Sequence, residues 1–234
     1  MEKATLGILG GMGPEATEIY YKKIIDHTEV NCDQDHLNVM IYSHASIPDR
    51  TESLACGQSE KLWGILKKDI DMLKEMGCKY LTIPCNTCHY YGERLSKEMG
   101  GHFINMIEET ALYCKMRGLQ KVGVLATDGT VHYNLYQKAL DQYGIETYYP
   151  SSDKQKIVMS IIYDQIKRGE KGDKHQFMDV IEELRKADCQ AAILACTELS
   201  VFNMNYQLSN DYYIDAMDVV TRACIEKCGG KYCD

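Results

Sequence analysis

The chain has 234 residues, 45% of them hydrophobic, which is enough to build a real core as one large domain or two small ones. Its net charge of −8 excludes the basic surface that is typical of nucleic-acid-binding proteins. Its apolar stretches are too short to span a membrane, and glycines interrupt the N-terminal apolar run before it reaches the length of a secretory signal. We therefore expect a cytoplasmic protein with no membrane or nucleic-acid partner, whose eleven cysteines remain thiols.

Apolar segments alternate with segments of helical periodicity along the chain. The first predicted strand, ATLGILG, leads through the turn GMGPEAT into a helix, and LNVMIYS is the second strand. Residues 59–76 have apolar residues at helical spacing and precede a third strand, KYLTIP. KVGVLAT and QAAILAC are further strands, each followed by a helix. This alternation predicts an α/β fold with parallel strands and crossover helices.

Two parts of the chain also resemble each other. GILGGMGPEATEIYYK, from Gly7, aligns without gaps with GVLATDGTVHYNLYQK, from Gly123. IDMLKEMGCKYLTIPCNT aligns in the same way with IEELRKADCQAAILACTE, which places Cys85 on Cys196. Any two βα units share some pattern, but two ungapped matches in the same order favour duplication.

The repeat predicts two similar doubly wound parallel-sheet domains related by a pseudo-twofold duplication. We place the N-terminal domain at residues 1–117 and the C-terminal domain at 118–216. The last helix, at about 217–228, is a candidate to complete the first domain. Ligands of such folds bind at the carboxyl ends of the strands, so we expect the active site in a cleft between the domains.

The motif PCNTC, residues 84–88, is compatible with a redox dithiol, a zinc site or a single catalytic thiol. The second repeat has Leu199 where Cys88 stands, which disfavours dithiol chemistry. No second C-x-x-C completes a zinc site, and the spacing of the C-terminal cysteines is irregular, so we expect no metal. We interpret Cys85 as the reactive thiol and Cys88 as a packing residue.

The glycine loop after the first strand, residues 11–16, fits the pattern G-x-G-x-x-A, a weak signal for dinucleotide binding. The acidic residue expected after the second strand is missing, because that strand ends in YSHA. We therefore expect no nucleotide cofactor, and a loop whose amides bind a small carboxylate.

The segments PCNT and ACTE each place a thiol at a strand end, followed by hydrogen-bonding side chains at a helix start. A helix N-terminus favours both a thiolate and a bound amino-acid carboxylate. Two opposed thiols can invert a stereocentre without a cofactor, because one removes the Cα proton and the other supplies a proton to the opposite face. The alternative is that Cys85 and Cys196 are both ordinary buried core residues.

GGMGPEAT, IPDRT, PCNTCH and ACTEL, in this order, resemble the pyridoxal-phosphate-independent aspartate/glutamate racemase family, and most of all its aspartate racemases. The resemblance covers nearly the whole chain. It implies two similar α/β domains with the active site between them, a small-molecule amino-acid substrate, no cofactor and a homodimer. It also implies that Cys85 and Cys196 are the catalytic acid/base pair.

The resemblance further implies that basic side chains hold the side-chain carboxylate of the substrate. The substrate-binding residues expected are Met12, Arg50, Gln58, Asn86, Thr87, Thr127, Lys167, Thr197 and Glu198. Three alternatives remain open: a surface salt bridge of Arg50 with Asp49 or Glu52, a solvated helix end at Lys167, and purely structural roles for His89 and Glu198, which otherwise steer thiol protonation.

The sequence thus predicts a racemase of aspartate, with glutamate as a further candidate, because one methylene changes pocket affinity by only about 1–3 kcal/mol. One alternative is a lyase, isomerase or amidase of the same superfold that uses a single cysteine for covalent attack. The other is a dicarboxylate-binding protein without turnover.

Overall fold

A computed structural model of the chain describes residues 4–209 and 211–233. The strands in these residues are β1 (Leu6–Gly10), β2 (Val39–Ser43), β3 (Tyr80–Thr82), β4 (Lys121–Ala126), β5 (Glu146–Tyr148), β6 (Ala191–Ala195) and β7 (Tyr213–Asp215). The α-helices are α1 (Pro14–Asp26), α2 (Arg50–Ala55), α3 (Ser59–Glu75), α4 (Gly92–Glu98), α5 (Met106–Met116), α6 (Asp128–His132), α7 (Leu135–Asp141), α8 (Ser152–Ser160), α9 (Lys174–Lys186), α10 (Thr197–Tyr206) and α11 (Ala216–Lys227). The alternation of strands and helices predicted from the sequence is confirmed.

The described residues form two compact units, 4–106 with 217–233 and 107–209 with 211–216. The first unit contains a parallel sheet in the order β2-β1-β3, and the second contains a parallel sheet in the order β5-β4-β6-β7. Phe103 forms one further parallel bridge beside β3, at the place that β7 occupies in the second sheet. The two sheets therefore share one strand order, as a duplication requires.

The central strands are almost entirely buried. Every residue of β1 and β6 is buried, which is typical of parallel strands covered on both faces. The long helices present an apolar stripe to these sheets: in α3 the buried residues include Leu62, Leu66, Ile70 and Leu73, spaced by three or four positions. Burying one such side chain stabilises the fold by about 1.5–3 kcal/mol.

The contacts divide the chain at 106/107, whereas the sequence pattern suggested 117/118. The difference is helix α5, most of which packs with the second unit. Helix α11 belongs to the first unit, where Tyr20 of α1 forms a 3.0 Å hydrogen bond with the sulfur of Cys224 and Lys23 pairs with Asp218. The last helix of each repeat is therefore counted with the unit of the other repeat.

Within residues 4–209 and 211–233, no helix combines the length and the apolar composition needed to cross a membrane.

Candidate active site

In each unit, predicted site residues follow directly after neighbouring parallel strands. In the first unit Ile8 pairs with Thr82, and three residues beyond this pair the chain reaches Gly11 on one strand and Cys85 on the other. In the second unit Ala126 pairs with Ala195, and the next residues are Thr127 and Cys196. Because parallel strands end at the same edge of a sheet, each unit brings its two segments together.

The glycine loop after β1 is held in place by α1. The hydroxyl of Thr17 accepts a hydrogen bond from the Gly11 amide at 2.9 Å and donates one to the Gly13 carbonyl at 2.8 Å. Gly11 has a φ of +90°, and a Cβ there would lie 2.4–2.7 Å from the backbone of His44 and Ala45. The loop therefore requires glycine at position 11, and Thr17 is a positioning residue that the sequence patterns did not reveal.

Cys85 is the extended residue before a short 3₁₀ helix, Asn86–Tyr91. It is 6% exposed, and its neighbours Asn86 and Thr87 are also buried. Its side chain interacts electrostatically with the guanidinium of Arg50 and with the thiol of Cys88. The first thiol motif thus places a cation beside the cysteine.

Arg50 is buried at the start of α2 and is not a surface residue. Its guanidinium donates hydrogen bonds to the Met12 and Pro48 carbonyls, both at 3.3 Å. Its buried Nε has no acceptor among the described residues. Burial opposes the charge and is the largest single effect, but Cys85, Cys88 and Asp49 together outweigh it, so the pKa of Arg50 is raised. Asp49, a suggested salt-bridge partner, caps α2 by accepting the Glu52 amide at 3.0 Å, and its charge also raises the pKa of Arg50.

Cys88 is fully buried. Its sulfur lies 3.5 Å from the sulfur of Met12. The hydrogen bond with Cys85 and burial raise the pKa of Cys88 well above its usual value. Cys88 therefore remains a thiol under ordinary conditions.

His89 is bonded through both ring nitrogens to backbone groups. The Met106 amide donates to Nε2 at 3.1 Å, so the ring proton is on Nδ1, which donates to the Cys85 carbonyl at 2.9 Å. Burial lowers the pKa of His89 to about 4, so the ring is neutral at pH 7. This geometry favours the structural alternative for His89: the ring links the cysteine loop to the start of α5.

Cys196 is the residue before α10 and is as buried as Cys85, at 6% exposed. Its thiol donates a hydrogen bond to Oε2 of Glu198 at 2.9 Å, and the Thr197 hydroxyl contacts the same oxygen at 3.4 Å. Burial and the Glu198 carboxylate raise the pKa of Cys196 well above its usual value. The second thiol motif thus places an anion beside its cysteine.

Comparison with known proteins gives these two thiol motifs a context. Residues 9–224 match the family described as Asp/Glu/Hydantoin racemase. The chain belongs to this family. The resemblance predicted from the four sequence motifs is confirmed, and so is the α/β fold with two parallel sheets.

Two solved structures are similar to nearly the whole chain, and one curated relative is similar to part of it. Aspartate racemase from Picrophilus torridus is 31% identical, with a TM-score of 0.84 over 98% of this chain and 96% of that one. An aspartate racemase homologue from Pyrococcus horikoshii OT3 is 25% identical, with a TM-score of 0.77 over 97% and 99%. The broad-specificity amino-acid racemase RacX of Bacillus subtilis (strain 168) is 29% identical over 147 residues, which are 60% of this chain and 62% of RacX.

The other residues expected to bind substrate are partly buried and partly exposed. Thr127 is buried and caps α6 by accepting the Thr130 amide at 3.4 Å. Lys167 is exposed, with its ammonium 3.7 Å from the ring centroid of Tyr163, and its charge lowers the pKa of Cys196, an effect smaller than that of burial. Gln58 is exposed at the residue before α3. Their contacts with substrate stay predictions.

The first unit therefore gathers Met12, Arg50 and Cys85 into one set of contacts, and the second gathers Cys196 with Glu198. His44, which the sequence interpretation did not select, stands beside Gly11 and pairs with Asp69 at 2.7 Å. The sequence signal that could have identified His44 is its position at the carboxyl end of a predicted parallel strand.

Proposed function

We propose that the chain is a cofactor-independent racemase that interconverts L- and D-aspartate, with Cys85 and Cys196 as the two proton-transfer groups. Three findings support the proposal: membership of the racemase family, 31% identity with an aspartate racemase over nearly the full length, and a thiol at each of two equivalent strand ends.

One observation carries the mechanism: the two thiols have neighbours of opposite charge. The Arg50 guanidinium favours the thiolate form of Cys85, whereas the Glu198 carboxylate favours the protonated form of Cys196. A pair that shares one proton in this way contains one base and one acid, which two-base racemisation requires.

In the proposed reaction the Cys85 thiolate takes the Cα proton and becomes a thiol. The resulting carbanion receives the proton of Cys196 on its other face, which leaves Cys196 as a thiolate. The reverse reaction uses the same groups in exchanged roles. The mechanism requires both sulfurs to reach the same Cα, which a crystal structure with bound aspartate measures directly.

Arg50 supports an acidic substrate. A guanidinium can hold a carboxylate with two parallel hydrogen bonds, and the buried Nε of Arg50 has no protein acceptor in the described residues. We propose that Arg50 holds the side-chain carboxylate of aspartate beside Cys85, and that Lys167 contributes a second positive charge. The 29% identity with RacX makes a broader amino-acid racemase the second candidate.

Chiral chromatography after incubation with L-aspartate, L-glutamate, L-asparagine and L-alanine tests the proposal. We expect D-aspartate to form fastest, and equal turnover of all four would favour the broad-specificity candidate. No inversion of any of them at high enzyme concentration would favour a binding protein. A covalent adduct trapped on one cysteine would favour a single-cysteine lyase or amidase.

We also propose a homodimer in the cytoplasm. All eleven cysteines lie within the described residues, and all are free thiols. This supports a reducing compartment. Sedimentation equilibrium should give twice the 26.6 kDa mass of the chain. A mass of one chain across micromolar concentrations would contradict the dimer.

A further inference from the structure

Cys85 and Cys88 are the first and last residues of one short turn, and the proposed racemisation uses only the first of them. The Cys88 amide donates a hydrogen bond to the Cys85 carbonyl at 3.1 Å, which closes a turn of four residues. Such a turn brings its first and last Cα atoms within about 7 Å, and a disulfide needs about 4.4–6.8 Å. The Cys85 thiol also raises the pKa of the Cys88 thiol, so the two side chains interact.

We propose that Cys85 and Cys88 are a reversible oxidation site, at which a peroxide converts the two thiols into an intramolecular disulfide that switches the active site off. The effect on activity rests on the proposed racemase function, whereas formation of the disulfide does not.

The surroundings give the two sulfurs different tasks in this oxidation. Thiolates are the form that reacts with peroxides, and the positive charge of Arg50, which interacts with Cys85, favours a thiolate there. Cys88 is fully buried against Met12 and remains a thiol, so it is shielded from direct attack but touches the sulfur that is attacked. This is the arrangement of a reactive cysteine next to a resolving cysteine.

The chemistry balances with hydrogen peroxide as the oxidant. The Cys85 thiolate attacks one peroxide oxygen, the O–O bond breaks, and after proton uptake the products are a sulfenic acid and water. The Cys88 sulfur then displaces the hydroxyl group from Cys85, forming the S–S bond and a second water. Two thiols are oxidised by two electrons and one peroxide is reduced, and a dithiol such as dithiothreitol reverses the change.

The disulfide removes the base from the reaction. Once the Cys85 sulfur is bonded to Cys88 it can neither accept nor donate a proton at Cα. Further oxidation of Cys85 to the irreversible sulfinic acid is also prevented. The switch therefore protects the catalytic thiol while it stops turnover.

Peptide mapping after peroxide treatment tests the site directly. Trypsin cuts after Lys79 and Arg94, so one peptide, residues 80–94, carries both cysteines and no other. Treatment of the full chain with hydrogen peroxide should lower the mass of this peptide by about 2 Da, the two hydrogens lost when one disulfide forms. Dithiothreitol should restore both the mass and the aspartate racemase activity at the same rate.

Cys88→Ala and Cys88→Ser are the matched variants. Both should keep activity when reduced, but peroxide should then inactivate them irreversibly and convert Cys85 to the sulfinic acid. The proposal is overturned if the wild-type Cys85 is oxidised to sulfinic acid, or linked to Cys196 in a two-peptide product, while Cys88 remains a thiol. A chain with no racemase activity that still forms the 80–94 disulfide would refute the proposed function and leave the oxidation site standing.

Discussion

Replacing Arg50 tests both roles that its position suggests. Arg50→Lys keeps a positive charge but loses the planar pair of donors, and Arg50→Met keeps the approximate length but removes the charge. A hydrogen bond to a charged group contributes about 1.5–3 kcal/mol, so losing one from the substrate carboxylate lowers kcat/KM by about 10- to 150-fold. We expect Arg50→Lys to act mainly on KM, and Arg50→Met to lower kcat as well, because the cation beside the Cys85 thiolate is gone.

The structure also limits the effect of these changes on folding. The carbonyls of Ile47, Pro48 and Met12 accept from the guanidinium at 3.3–3.5 Å, which is long for a hydrogen bond, so together they contribute about 1–2 kcal/mol to the free energy of unfolding. Urea titration should therefore show a modest loss in Arg50→Met.

Steady-state kinetics in both directions, measured by chiral chromatography, separate these effects. Arg94→Lys is the matched control, since Arg94 forms an exposed ion pair with Glu60 and should leave kinetics and stability unchanged. The reasoning fails if Arg50→Met keeps kcat/KM within about threefold of the wild-type value, or if its loss of activity follows unfolding alone.

Three further predictions concern the second thiol, the histidine link and the last residue of β1. Glu198→Gln should lower the pKa of Cys196. The high-pH limb of the pH–rate profile, where the Cys196 thiol loses the proton that it supplies as the acid, should therefore move to lower pH. The pKa of His89 is about 4 in the folded protein and about 6.5 in the unfolded chain. The neutral ring should therefore contribute about 3 kcal/mol to the free energy of unfolding above pH 6.5, and this contribution should be lost as the pH falls towards 4. In urea titrations His89→Gln should flatten this pH dependence. Gly10→Ala should cost about 1–3 kcal/mol of unfolding free energy, because its methyl group would lie 2.3 Å from Thr17.

Two of these predictions have a control in the same chain. Glu198→Asp keeps the negative charge and should retain the wild-type pH profile in part. Gly64→Ala in α3 meets no atom within 4 Å and should stabilise the protein by about 0.5–1 kcal/mol. An unchanged pH profile in Glu198→Gln, or equal stabilities of the two glycine variants, would contradict the contacts described at these positions.

The sequence predicted the fold and the strand-end positions of the two thiols because local patterns carry that information. Apolar runs such as QAAILAC identified the strands, and the ungapped repeat placed Cys85 and Cys196 at equivalent strand ends, as the pairing of β1 with β3 and of β4 with β6 shows. The contact between Cys196 and Glu198 also follows from short spacing at a helix start.

Contacts between distant parts of the chain could not be predicted in the same way. Arg50 lies 35 positions before Cys85 in the sequence. The segment SIPDRT was equally compatible with an Arg50 that forms a surface salt bridge. The packing of α5 with the second unit is likewise a long-range effect that no helical periodicity encodes. The His89 ring acquires its role only because the Met106 amide comes within 3.1 Å of it.

The most direct test of the two-cysteine mechanism is to incubate L-aspartate with the enzyme in D₂O and follow both configuration and Cα deuterium by chiral chromatography with mass detection. We predict that the wild-type protein forms D-aspartate carrying deuterium at Cα, and that Cys85→Ala and Cys196→Ala each abolish inversion. Formation of D-aspartate that retains the original Cα hydrogen, or undiminished inversion by either variant, would contradict the mechanism.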